Sequence, residues 1–226
     1  MSSAFFRTLP LLVLCTLCCA ESNPQIRLRV ERLESGDWKP VNAATVFEQG
    51  QYVRFLVSAN FGGYLYVMNR GTSGSYELLF PRAETGSDNH IAASKEYRVP
   101  SVEGGFRISG PAGQDVVYWV ISPVELGPVY RPLPPPPAPG AVPSSLKPRC
   151  DDTLFKARGE CVDNSAGVKP VKSADTLPSN LKGVAAATPR EVIFIQDRNS
   201  AQESVVISSP APFTGPVVYE LRLAHR

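Results

Sequence analysis

Tyr52-Val53-Arg54-Phe55-Leu56-Val57, then Asn60-Phe61-Gly62-Gly63, then Tyr64-Leu65-Tyr66-Val67-Met68, is the stretch that decides the fold. Val53, Phe55 and Val57 fall on one side of a period of two and Arg54 on the other, the pattern of a strand with one buried face. The Asn/Gly break ends that strand, and the aromatic, β-branched run after it starts another. A loop at Gly71-Thr72-Ser73-Gly74 leads to Tyr76-Glu77-Leu78-Leu79-Phe80, stopped by Pro81, so the turn chemistry predicts a hairpin.

The same period continues outward on both sides. Towards the N-terminus, Ile26, Leu28 and Val30 alternate with Arg27, Arg29 and Glu31, followed by a turn at Glu34-Ser35-Gly36-Asp37 and a run from Trp38 to Phe47. Towards the C-terminus, residues 82–94 are polar and turn-like. Tyr97-Arg98-Val99-Pro100, Phe106-Arg107-Ile108 and Val116-Val117-Tyr118-Trp119-Val120-Ile121 then read as short strands. The last of these is apolar without a break, as a central strand covered on both faces should be. Many short β-rich runs at close spacing predict an all-β chain, a single antiparallel β-sandwich-like domain.

Composition changes at Pro123. Residues 131–149 are dominated by proline, including Pro134-Pro135-Pro136-Pro137, which favours polyproline II, a stiff segment suited to docking in a partner's aromatic groove or to spacing. Residues 150–189 are poor in patterned hydrophobics. Glu191 to Ile195, Val205-Val206-Ile207 and Val217 to Leu223 are again strand-like. Three short strands cannot bury a core by themselves, so they are expected to complete the sheets begun by residues 21–123. The expected organisation is a leader at 1–20, a sandwich of 21–123 with 190–226, and a long Pro-rich, disordered insertion at 124–189.

The leader reading rests on Arg7, an apolar run from Leu9 to Ala20, and small residues at Cys18-Cys19-Ala20 before Glu21. The run is shorter than the ~20 residues that a spanning helix needs. Export to a periplasmic or extracellular cell-envelope location follows as the expectation. A lipid anchor on Cys19 is the less favoured variant, because Thr16-Leu17 is a poor lipobox. Of the 5 cysteines, Cys15, Cys18 and Cys19 fall in the leader, and the remaining pair, Cys150 and Cys161, is read as a disulfide worth at most about 3 kcal/mol. A formal net charge of +2, evenly spread, disfavours a nucleic-acid partner.

Chemistry-bearing residues are sparse. Asp88-Asn89-His90 could offer a carboxylate and a base for a hydrolase, yet no G-x-S-x-G motif surrounds any serine, and a solvated loop is the favoured reading. His225 reads as exposed on the polar side of its strand. Asp151-Asp152 and Asp163-Asn164 lack the spacing of a calcium loop, and Gly71 to Gly74 opens no helix, so no metal or cofactor is expected. Among the strand aromatics, Tyr64 and Tyr66 share a face and, with Tyr76, form the candidate binding face for a glycan or peptide.

Gln51-Tyr52-Val53-Arg54-Phe55, Gly63-Tyr64-Leu65-Tyr66-Val67, Leu78-Leu79-Phe80-Pro81, Tyr97-Arg98-Val99-Pro100 and Gly110-Pro111-Ala112-Gly113 occur in an order that resembles the bacterial family called domain of unknown function 4384. The resemblance covers residues 46–122. It implies a β-sandwich-like module of exported or envelope-associated proteins and implies no catalytic activity or functional residues. Together these readings predict an exported, non-catalytic envelope module that binds protein or cell-wall components. A sensor of small ligands, glycans or peptides is the alternative, and a hydrolase the least favoured.

Overall fold

The computed structural model describes residues 23–72, 74, 76–127, 166–171, 193–197, 204–210 and 213–226. Cys19, Cys150, Cys161, Pro134 to Pro137, the two acidic clusters and the leader therefore lie outside the described residues. The described residues form two seven-stranded sheets and contain no helix, which is the all-β sandwich that the alternation predicts.

The first sheet is built from β1 (Gln25–Glu34), β2 (Asp37–Val41), β4 (Tyr52–Ala59), β8 (Glu96–Val99), β9 (Phe106–Arg107), β12 (Ile193–Asp197) and β13 (Ser204–Ser208). Its order is β12-β13-β1-β4-β8, with β2 also on β1 and β9 also on β4. The second sheet holds β3 (Val46–Phe47), β5 (Gly63–Arg70), β6 (Tyr76–Phe80), β7 (His90–Ile91), β10 (Gly113–Ser122), β11 (Gly167–Pro170) and β14 (Val217–His225). Its order is β11-β14-β10-β5-β6, with β3 on β14 and β7 on β5. Pairings are antiparallel except β14 with β3, a short parallel contact at Ala224↔Val46 and His225↔Phe47.

The C-terminal strands divide between the sheets. β13 pairs β1 from Ile26↔Ile207 to Leu28↔Val205, and β14 pairs β10 along its length, from Gly113↔His225 to Ile121↔Val217. Both sheets thus need strands from both ends of the described chain.

The interior follows from the period of two. Ile26, Leu28, Val30, Val53, Phe55 and Val57 of the first sheet face Leu65, Val67, Val117, Trp119, Ile121 and Tyr219 of the second, all buried in one cluster. Trp119 is its largest fully buried side chain: its ring meets Phe55 edge-on at 5.2 Å and stacks on Tyr219 at 6.1 Å. Such aromatic pairs add to the area they bury. β10 is buried on both faces, as its unbroken apolar run predicts, because Tyr118 and Val120 join Tyr66, Met68, Val116 and Val218 in a second cluster on the outer side.

Two strands lie where the sequence reads as loop. Gly167–Pro170 forms β11 on β14, with Val168 packed against the core. Ile91 of β7 is buried within the polar stretch 82–94. Both strands are too short to display a period, and main-chain pairing to a neighbouring strand organises them.

Candidate functional site

The outer faces of the sandwich differ in chemistry. On the first sheet, Arg27, Arg29 and Glu31 point away from the core beside Arg54 of β4. Glu31 is buried to 7% exposure between two cations: Arg54 Nη2 lies 2.7 Å from its Oε2 and Arg29 Nε 3.4 Å from its Oε1. The Arg54 guanidinium also rests 4.4 Å over the Trp38 ring, a cation–π contact. Arg29 reaches on to Glu96 of β8 at 3.1 Å. On the second sheet the outer face is the tyrosine-rich cluster.

One lateral side of the sandwich brings β6 and β8 together. Each is the end strand of its sheet's order. The turn after β6 ties them: Arg82 N–H bonds to Gly86 O, and the Ser101 N–H and Oγ both donate to Thr85 O at 2.8 and 3.1 Å. Gly86 is forced here, since its φ is +115° and a Cβ would strike Ser101 Oγ. The Phe80–Pro81 and Val99–Pro100 bonds that close the two strands are both cis.

Beside β8 lies a cleft of about 340 Å³. Leu65, Phe80, Ile91 and Tyr97 make its apolar part; Arg54, Asp88, Glu96 and Arg98 supply charge, with Leu56 and Ser101 completing the lining. The residues come from both faces of β8, so the cleft follows that edge strand. Two of its four charges are paired within the chain, Arg54 by Glu31 and Glu96 by Arg29. Arg98 is exposed and donates from Nη2 to Ser101 O at 3.2 Å.

The residues singled out from sequence are distributed as follows. Asp88 lines the cleft, but its carboxylate accepts from the His90 main-chain N–H at 3.1 Å, while the His90 ring packs edge-on against Tyr64 at 5.3 Å. The carboxylate caps a backbone group and does not engage the imidazole. Tyr64 and Tyr66 do share a face, yet Tyr66 is only 5% exposed and its hydroxyl is engaged with both the N–H and the C=O of Leu126, at 2.9 and 3.2 Å. Tyr76 stacks on Tyr118 at 6.5 Å, and burial pushes the Tyr118 phenol up to about 12. Of that aromatic set, Tyr64 and Tyr76 stay half-buried.

His225 corrects its expectation. It is 4% exposed, because along β14 the odd positions Val217, Tyr219, Leu221, Leu223 and His225 share the inner side. Its Nε2 lies 3.1 Å from Thr72 Oγ1 and 3.5 Å from Asp115 Oδ1, and Thr72 bonds to Asp115 through both its N–H and Oγ1. A hydroxyl–imidazole–carboxylate relay uses the two ring nitrogens separately. Here one nitrogen meets both partners, so the cluster fastens the β5–β6 loop to β14. Among the described residues, no three His, Cys, Asp or Glu side chains gather as metal ligands.

The cleft itself was not legible in sequence. Its apolar members belong to strands whose alternation marks them as core, and its charges are scattered between positions 54 and 98. The one available signal is that two strand-like runs each stop at a proline, Phe80-Pro81 and Val99-Pro100.

The fold and cleft define a two-sheet antiparallel sandwich with a partly apolar groove along one edge. Residues 46–125 match the family model described as domain of unknown function (DUF4384), which bears out the resemblance carried by the GYLYV, LFP and VP segments. No curated protein and no solved structure is detectably similar to the chain.

Proposed function

We propose that the chain is an exported, non-catalytic module of the cell envelope that binds a protein or cell-wall component at the β8 cleft. The observation that carries the reading is the juxtaposition of an end strand with a groove that is apolar inside and charged at its rim. Interaction sites combine such an apolar centre with a polar border. The export component is supported by the n-region, h-region and small-residue pattern of residues 1–20.

The test is photo-crosslinking in the producing cell, with a benzophenone side chain replacing Arg98 or Ser101 at the cleft, or Lys39 on β2 at the other edge of the same sheet. Discrete crosslinked species from the two cleft positions and none from Lys39 are expected, in the envelope fraction. Equal backgrounds at all three positions would remove the reading. Mass spectrometry of the isolated protein reads the N-terminus, any lipid and the Cys150–Cys161 bond in the same preparation.

The small-ligand alternative has one observation in its favour, a cleft volume of about 340 Å³ that falls at the lower end of the range for small-molecule sites. Stabilisation by free sugars or short peptides in a thermal-shift screen, without macromolecular crosslinks, is the result that would select it.

A further inference from the structure

The geometry points to β8 as the strand onto which a partner adds an extended peptide, pairing main chain to main chain, with an acidic side chain set against Arg98 and an apolar one in the cleft. This rests on the cleft being the partner-binding site and names the chemistry of that partner.

Three observations converge. β8 pairs with β4 on one side only, and an antiparallel strand turns the N–H and C=O groups of alternate residues to its other side. Among the described residues, no strand lies there. The neighbouring edge is treated differently, because the chain caps it: Leu78 O accepts from Arg82 Nη1 at 3.2 Å and Leu79 O from Thr85 Oγ1 at 2.5 Å. Folded chains commonly block their free edges against such pairing, and here one of two adjacent edges is blocked with side chains while the other borders a groove.

β8 is also held in place before any partner arrives. Ala92 N–H donates to Tyr97 Oη at 2.8 Å, and Ser101 is fastened to Thr85 just beyond the strand. A strand already ordered loses little conformational freedom on pairing.

Charge then selects the peptide. The rim cation Arg54 and the rim anion Glu96 are neutralised by Glu31 and Arg29, and the other rim anion, Asp88, is turned to the His90 main-chain N–H. Arg98 projects from β8 with its guanidinium exposed and one donor used, on Ser101 O, which leaves it a fork for a carboxylate. The half-buried Leu56 and Tyr97, above the buried Leu65, Phe80 and Ile91, form the part of the cleft that receives the apolar side chain. The main-chain donors and acceptors that alternate residues of a strand turn to its free side match the spacing of an added peptide strand.

A phage-displayed library of random heptapeptides selected on the intact chain supplies the probe. The selected sequences are expected to carry Asp or Glu at a fixed place beside an apolar residue. Synthetic versions methylated on backbone nitrogens at alternate positions should lose binding about tenfold or more in one parity and keep it in the other, since only one parity faces the strand. Arg98→Glu should shift selection to Lys or Arg, and Arg98→Gln should weaken the acidic peptides, with melting temperatures matching the parent. Failure to select any peptide, or binding equally tolerant of both methylation parities, or indifference to Arg98→Glu, overturns the inference. If cleft crosslinks persist in that case, only the peptide-pairing mode falls; if they are absent too, the binding reading falls with it.

Discussion

Tyr219 illustrates how tightly the interior constrains single atoms. Its ring stacks on Trp119, and both its hydroxyl and the Trp119 indole Nε1 are buried with no hydrogen-bond partner among the described residues. An unpaired buried hydroxyl costs free energy that its removal recovers. Tyr219→Phe is therefore expected to leave stability unchanged or raise it by about 1 kcal/mol in chemical denaturation, while Trp119→Ala should cost about 3–5 kcal/mol. The two buried phenols also set a pH dependence. Burial raises Tyr219 above its ordinary value and Tyr118 to about 12, whereas an unfolded tyrosine ionises near pH 10 (~10). A raised acid group is held neutral by folding, so its contribution is complete below the unfolded pKa and is lost as pH rises through the folded one. The urea midpoint should be flat up to about pH 10 and fall towards about pH 12, less steeply in Tyr118→Phe. At this scale the sequence misleads where polarity and parity conflict. His225 looks like an exposed polar terminus, but counting in twos from Tyr219 puts it on the core side.

At the level of strands, Gly63 is the residue that sets how closely β5 approaches β10. A Cβ built there would lie 2.5 Å from Ser122 O, a main-chain atom that cannot step aside. Gly63→Ala should cost about 2 kcal/mol or more by overpacking, and Gly36→Ala, in an open turn at φ +94°, about 1 kcal/mol from backbone strain alone. Thermal unfolding of the two variants side by side separates crowding from conformation. The charged outer face of the first sheet gives a second test. Glu31→Gln leaves Arg54 and Arg29 facing one another at a largely buried position, and the expected loss is about 3 kcal/mol. β4 was legible because it buries one side over eight residues, and β5 because its run is aromatic and apolar between an Asn/Gly break and a Gly-containing loop. β7 and β11 were not, since two and four residues carry no measurable period and depend on a partner strand for their hydrogen bonds.

Across the whole molecule, the segment that matches the family, 46–125, contains β3 to β10 but neither β1 nor β14. Those two occupy interior places, β1 between β13 and β4, and β14 between β11 and β10. A polypeptide of residues 46–125 alone is expected to give no cooperative melt and to bind the dye ANS, whereas the full chain should unfold in one transition; a sharp transition from the short piece would show that the family segment closes by itself. Alternation identified the strands but not their neighbours, because a period of two says which side is buried and nothing about which distant run lies alongside. The pairing of β14 with β10 has a temporal side as well. A ribosome delivers β10 long before β14, so the second sheet lacks one of its inner members until residues 217–225 have been synthesised. Throughout that interval β10 has only β5, of its two neighbours in the sheet, to pair with.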